Sequence, residues 1–451
     1  MRTFTGWNFR NIYPNPIDRK KGGHEDPPLH RNVYEEYSMK PFAWHLIAAC
    51  LFLVNVTRAE DKDAFWPQFH GPNRDNISAE KGLMKEWPVS GPALLWTAGG
   101  LGHGFSSLSI ADGMIYTAGN LGEHTVITAL NLDGKILWQV KNGKAWTGAQ
   151  SGSRSTPTVD GDRLYHQSPH GSLVCLNAKT GDILWQFNII EKFNSQVPRW
   201  ALAESLLLDG DHLISCPGGP QTCMVALDKT NGSVVWKAPS IREWAGYASP
   251  TLFEYEGLRI IMTLTAKRFI GVNADTGRLL WRIKQENPYD ENIMTPMFHE
   301  GCVFISTPVT GSVTWKVNIK DGKVSLRRRW RTQQLDNHHG GVILVNGNLY
   351  GSSTVLNKNL LVCLDWNTGR VKYMDRCVGK VSLTYADGML YALSIDGVMG
   401  LVQPIPSGHR LVSYFNIPKG GKGKSWAHPV VCGSRLYIRH GEFLYAYHVG
   451  Q

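Results

Sequence analysis

The sequence predicts an all-β protein, a single eight-bladed β-propeller of four-stranded antiparallel blades. Two observations predict it. Short apolar runs are punctuated at near-regular intervals by Asp-Gly or Thr-Gly, and one ten-residue phrase, LNAKTGDILW at 176–185, keeps returning. Composition agrees: charged residues are only 19%, while Gly numbers 47 and Trp 16, which suits many short strands and turns rather than helices or a disordered chain.

Two phrases alternate along the chain. The first is an apolar strand, a turn and a strand ending in Tyr: ADGMIY at 111–116, VDGDRLY at 159–165, VNGNLY at 345–350, ADGMLY at 386–391 and VCGSRLY at 431–437. The second is the recurring phrase, seen again as VALDKTNGSVVW ending at Trp236, VNADTGRLLW at Trp281 and CLDWNTGRVKY at Tyr373. Glycine supplies the positive φ of each tight turn, and the flanking runs alternate apolar and polar residues as half-buried strands do. Each unit therefore holds four strands in two hairpins.

The first phrase gives eight turns, at Gly113, Gly161, Gly210, Gly257, Gly301, Gly347, Gly388 and Gly433. The second gives only seven strand ends, at Trp138, Trp185, Trp236, Trp281, Trp330, Tyr373 and about Tyr414. The missing strand is upstream, in GPALLWTAGG with Trp96. It predicts a ring closed by an N-terminal strand, with no exposed sheet edge at the join. Four-stranded units repeating every 40–50 residues or so are the mark of a propeller. Proline agrees as well: Pro157, Pro250, Pro296 and Pro429 sit where first strands begin, an edge position that tolerates a missing N–H.

The propeller is expected over 92–451, behind a lead-in at 60–91. Residues 39–59 (MKPFAWHLIAACLFLVNVTRA) read as a signal peptide: Lys40, an apolar run from Phe42 to Val54, then small residues at Thr57 and Ala59. An internal membrane anchor is the competing reading. Residues 1–38 then read as an extension ahead of the true start at Met39, or as a disordered one. An exported protein, periplasmic or extracellular, is expected, without a transmembrane helix once the signal is removed. The net charge of +10 suits nucleic acid or an anionic envelope polymer, and export disfavours the first. A monomer is expected.

Removing the signal takes Cys50 and leaves seven cysteines, an odd number that cannot all pair. Cys216 and Cys223 flank PGGPQT; a local disulfide and two free thiols are both open. No C-x-x-C occurs, which argues against structural zinc, and KGGKGKS at 419–425 carries Pro418 where a phosphate loop needs Gly. No G-x-S-x-G nominates a serine nucleophile.

Loops leading into the channel-lining strands gather at one mouth of the ring. They hold the candidate ligand-binding residues His103, Arg154, Arg199, Trp200, Trp244, Tyr247, His338, His339, Lys380, Trp426 and His428, with Asp290 and Glu291 as candidate acid and base. A funnel of mixed aromatic and charged side chains suits a polar organic ligand. If Asp336–His339 is strand, only one of His338 and His339 can face the channel; no metal site is assigned. Arg327-Arg328-Arg329-Trp330-Arg331 reads first as an exposed outer strand, and second as an anionic-polymer contact.

The A-x-[DN]-x-x-T-G-x-x-x-W phrase is similar to the repeat of quinoprotein (PQQ) dehydrogenases and of the non-enzymatic outer-membrane assembly factor BamB. FWPQFHGPNRDNIS at 65–78 and SWAHPVVCGSRLYIR at 425–439 resemble exported bacterial PQQ-like repeat proteins, over roughly 65–449. The resemblance implies that Trp96, Trp138, Trp185, Trp236, Trp281 and Trp330 dock each blade on the next. It implies a binding or scaffold protein of the cell envelope, with an envelope protein or anionic polymer as partner. The alternative it implies is a PQQ- and calcium-dependent quinoprotein alcohol dehydrogenase. The larger alcohol-oxidising members generally carry a vicinal Cys-Cys pair against the cofactor, and no Cys-Cys occurs here.

Overall fold

The computed structural model describes residues 64–354, 358–405 and 407–451. The expected extension at 1–38, signal segment at 39–59 and residues 60–63 lie outside the described residues. Among the described residues there are eight sheets, each built on four antiparallel strands, and one helical turn, Ile189–Lys192. No described helix is long and apolar enough to cross a membrane.

Blades 1 to 7 follow chain order over 109–144, 158–188, 207–237, 251–284, 297–332, 342–376 and 381–416. Blade 8 takes three strands from 430–448 and its outermost from Leu94–Ala98, where Trp96 pairs with Ala446. The join is therefore made by the strand the sequence nominates. Hairpins form where expected: Asp112 and Gly113 both take positive φ, 50° and 74°, the geometry that matches the twist of flanking strands. Pro157, Pro250, Pro296 and Pro429 each directly precede a first strand, at Thr158, Thr251, Met297 and Val430.

The outer pairing of every blade carries a β-bulge, as at Ile183/Trp185 in blade 2. The bulge twists the strand and re-aims the residue that follows it. In blades 8, 1, 2, 3 and 5 that residue is a Trp whose indole N–H donates to a carbonyl of the next blade. The acceptors are Leu132 (2.9 Å from Trp96), Ala178 (3.2 Å from Trp138), Lys229 (3.2 Å from Trp185), Ala274 (2.9 Å from Trp236) and Trp366 (2.9 Å from Trp330). The turn glycine of the receiving phrase lies against the same ring: a Cβ on Gly181 would stand 2.9 Å from Trp138. The phrase thus builds both halves of a joint, a Trp on one blade and a Gly seat on the next.

Three junctions depart from it. Trp281 is buried, but its Nε1 has no partner, because blade 5 offers a plain Asp321-Gly322 hairpin in place of the phrase. Tyr373 replaces Trp in blade 6. In blade 7 the residue after the bulge is Ser413, so the expected Tyr414 is one residue off and is 59% exposed. Its place is filled by Trp87 from the lead-in, which packs on Tyr391 and Phe415 and donates its backbone N–H to Ser413 Oγ at 2.8 Å.

Buried apolar residues form eight clusters, one between each pair of neighbouring blades. Burial at about 25 cal/mol per Å² of apolar surface makes these wedges the main stabilising term. The described cysteines are free thiols, Cys216 and Cys223 included, so no local disulfide forms there.

The lead-in crosses the ring. Trp66 bridges Ile110 of blade 1, and Val159 of blade 2 donates to Pro67 O. The Arg74 guanidinium donates to Ser205 O (2.7 Å) and Leu206 O (2.9 Å) at the start of blade 3. Ile77 and Ser78 then add a short parallel strand to blade 7. Residues 66–78 close the central channel as a plug, with a cavity on either side. Positive φ at His70, Arg74 and Asn76 lets the plug turn tightly.

Candidate functional site

The larger cavity, about 360 Å³, opens at the mouth formed by the inter-blade loops. Loops ahead of seven of the eight blades contribute, and Phe69 of the plug forms part of the floor. Of the sequence candidates, Arg154, Trp200, Tyr247, Glu291, His338, His339, Trp426 and His428 line it. Phe69 and Phe105 line it too and were missed by the sequence reading. Phe105 lies within the GLGHGFSS loop, where an aromatic beside His103 was the available signal.

Other candidates lie elsewhere. His103 faces the Lys422–Gly423 loop and meets Phe105 edge-on, 5.6 Å between ring centroids. Arg199 stacks on Trp200, 4.7 Å from the ring centre. Trp244 is 40% exposed beside Gly218. Asp290 turns outward at φ 55°, 3.9 Å from Lys267, so the two adjacent carboxylates do not form an acid–base pair. Lys380 reaches the site through His338, its Nζ 3.1 Å from Nδ1.

Both His338 and His339 line the cavity, because 335–341 is loop rather than strand and the alternation rule does not apply. His338 Nε2 lies 3.4 Å from Glu291 Oε2, and its Nδ1 is within 3.2 Å of His339 Nδ1. With Nε2–H facing Glu291, Nδ1 accepts from the Lys380 ammonium. Burial lowers the Lys380 pKa.

Arg154 is held by its own loop, donating to Gly152 O (2.8 Å) and Gln150 O (2.6 Å) between the rings of Phe105 and Tyr247. Burial lowers its pKa as well. The Tyr247 hydroxyl donates to Trp200 O, and Trp200 Nε1 donates to Tyr289 O at 3.0 Å, which ties three loops together. Trp426 lies 5.3 Å from His339 and 4.9 Å from Phe105 by ring centroids.

Three neutral imidazoles support the floor. His428 donates from Nε2 to His339 O (2.8 Å) and accepts at Nδ1 from the Asn76 amide (3.1 Å). A protonated ring would lose that acceptor, and burial lowers the His428 pKa to about 4. His70 stacks on Phe69 and lies 4.6 Å from His428; burial, then the charges of His428 and Arg74, hold it well below the usual range. His339 is lowered too, by burial first and then by His338.

PQQ held with calcium would need both a seat for a flat anion and a set of oxygen ligands for the ion. Arg154, Lys380 and the Trp426 face suit a flat anion. Calcium needs six or more oxygen ligands, several of them carboxylate, and the only carboxylate lining the cavity is Glu291, which faces His338. No cluster of three or more Asp, Glu, His or Cys side chains suited to a metal occurs among the described residues. The donor set does not fit the calcium-bound cofactor.

An eight-bladed propeller with a plugged channel and one loop-lined cavity defines the class. The family model described as outer membrane protein assembly factor BamB matches residues 122–373, more than half of the chain, and the chain belongs to that family. No curated protein matches it. Among solved structures it is similar to BamB from Moraxella catarrhalis, at 15% identity and TM-score 0.54, covering 79% of this chain and 97% of that one. It is also similar to a quinohemoprotein alcohol dehydrogenase from Comamonas testosteroni, at 11% identity and TM-score 0.60, covering 87% of this chain and 82% of that one. The computationally designed Ika8 protein matches at 11% identity and TM-score 0.53, covering 79% of this chain and 100% of that one. At these identities the likeness shows the fold.

Proposed function

We propose that this protein is an exported, non-catalytic binding propeller of the cell envelope, holding a compact anionic ligand at the loop-side mouth of its channel. One observation carries the reading. The cavity is blind, closed beneath by residues 66–78, and its walls set five aromatic rings and the Arg154 guanidinium against a single carboxylate, with the Lys380 ammonium behind His338. A blind aromatic pocket retains a ring-bearing ligand, and the Arg154 guanidinium held among its rings favours one that carries an anionic group. The ligand would be a flat or ring-shaped carboxylate, free or borne at the end of a partner. Membership of the BamB family supports a role beside an envelope protein.

The test titrates the full chain with 4-hydroxybenzoate, glucuronate, and PQQ with calcium, following tryptophan fluorescence and heat. Dye reduction is assayed with a panel of alcohols. Saturable binding of a carboxylate, weakened at least tenfold in Trp426→Ala and without dye reduction, is the expected result. Alcohol-dependent dye reduction with stoichiometric PQQ would replace this reading with the quinoprotein dehydrogenase. No binding of any of the three at millimolar concentration would remove the ligand.

A further inference from the structure

The outer hairpin of blade 5 stands apart from its neighbours. Its two strands, Gly311–Lys320 and Lys323–Thr332, run ten residues each, against six for the outermost strand of blade 4, Leu279–Lys284. The register places Lys320 opposite Lys323 and Lys316 opposite Arg327. Like charges at directly opposed positions destabilise a sheet unless another group answers them. Lys316 is answered by the ring of Tyr255, 5.6 Å away. Lys320, Lys323, Arg327 and Arg328 are exposed, as is Arg282 on the adjacent outer strand. None of these five forms an ion pair among the described residues. Their neighbours do: Lys284 with Glu286 at 2.8 Å, and Arg259 with Asp275 at 2.6 Å. The one carboxylate of this hairpin, Asp321 in its turn, pairs with none of the five.

We infer that the outer edge of blade 5, with Arg282 of blade 4, docks an anionic polysaccharide laid along Lys323–Thr332. The strand is the last of its sheet, so its free edge offers unpaired backbone N–H groups in line with the cations. Ten residues at about 3.3 Å each give an extended track of roughly 33 Å, twisted at the bulge, suited to a chain rather than a point anion. The expected export favours a polysaccharide over nucleic acid. The surface is separate from the mouth cavity, and the inference does not rest on the ligand proposed there.

Heparin is the probe, with binding to the full chain followed by anisotropy between 50 and 300 mM salt. Affinity is expected to fall linearly in log salt. The variant Arg282→Gln/Lys323→Gln/Arg327→Gln/Arg328→Gln should lose at least tenfold at 100 mM and show a shallower slope. Lys135→Gln/Lys179→Gln/Lys237→Gln/Arg370→Gln, which removes equal charge elsewhere, should lose less than twofold. Trp426→Ala should bind heparin as the parent does. Equal losses in both fourfold variants would reduce the effect to net charge and overturn the inference. So would absent binding at 50 mM, or tighter binding to duplex DNA or anionic vesicles through the same residues. A fourfold variant that self-associates without losing heparin would show that the charges only guard the edge.

Discussion

The indole of Trp138 lies against Gly181 of the next blade and donates to Ala178 O at 3.2 Å, so one side chain meets both a seat and an acceptor. Gly181 has φ 80°, and a Cβ there would also collide with the ring. Gly181→Ala should therefore destabilise the fold by about 2–3 kcal/mol, combining backbone strain with displacement of the indole. Thermal midpoints measure it; a change below 1 kcal/mol would refute the joint.

The two kinds of junction separate packing from hydrogen bonding. Trp236→Phe removes a bond to Ala274 O, whereas Trp281→Phe removes an N–H that has no partner. The first should cost about 1 kcal/mol more than the second. Equal losses in denaturant titrations would show that the indole N–H contributes nothing to blade docking.

Stability should fall with acid between about pH 6.5 and 4. His428 stays neutral in the fold down to about pH 4, while in the unfolded chain it takes a proton near 6.5. Across that window the unfolded state binds more protons, so stability is present above 6.5 and declines as pH drops, by roughly 3 kcal/mol for this ring. His166, lowered to about 3 by burial, acts in the same direction. His428→Gln should flatten the decline in a series of thermal midpoints. An unchanged slope would place the proton uptake elsewhere.

Arg74 pins the plug through two carbonyls of the Ser205–Leu206 segment. Burial has already lowered its pKa to about 10, so its charge is held at a cost that those bonds, a third to Gln68 Oε1 at 2.8 Å and the nearby Glu204 offset. Arg74→Met should cost about 2–4 kcal/mol and raise amide exchange across 66–78. Protection equal to that of the parent would show that the plug is held by its ends alone.

Glu291 and Asp290 should behave differently despite being adjacent. Glu291→Gln alters the charge facing His338 inside the cavity and should change carboxylate affinity severalfold, upward, as the lone anion is removed. Asp290→Asn should leave it unchanged. Calorimetry on both decides, and the opposite order would invert the placement of the two carboxylates.

The blades were legible because their signal is periodic: turn glycines, alternating strands and Trp positions repeat, and the deficit of one strand pointed to Trp96. The plug was not, since WPQFHGPNRDNIS has no period and its meaning lies in contacts to residues far along the chain, such as Arg74 to Ser205. Loop side chains were half legible. Their origin ahead of the blades placed Tyr247 and His428 at the mouth, but orientation in a loop follows local φ, as the outward turn at Asp290 shows.

Closure by Leu94–Ala98 has a consequence for how the molecule is made. Its partner strand, Phe443–His448, lies at the opposite end of the propeller sequence, so Leu94–Ala98 has no sheet to join until that strand is made. Through that interval the early strand has an open edge and no sheet, a state prone to wrong pairing. The contact that completes the ring also spans nearly the whole propeller, which makes it slow to find. A circular permutant that begins between blades 4 and 5 would deliver all four strands of blade 8 in succession. It should refold with less aggregation than the natural order, at the expense of an open join elsewhere.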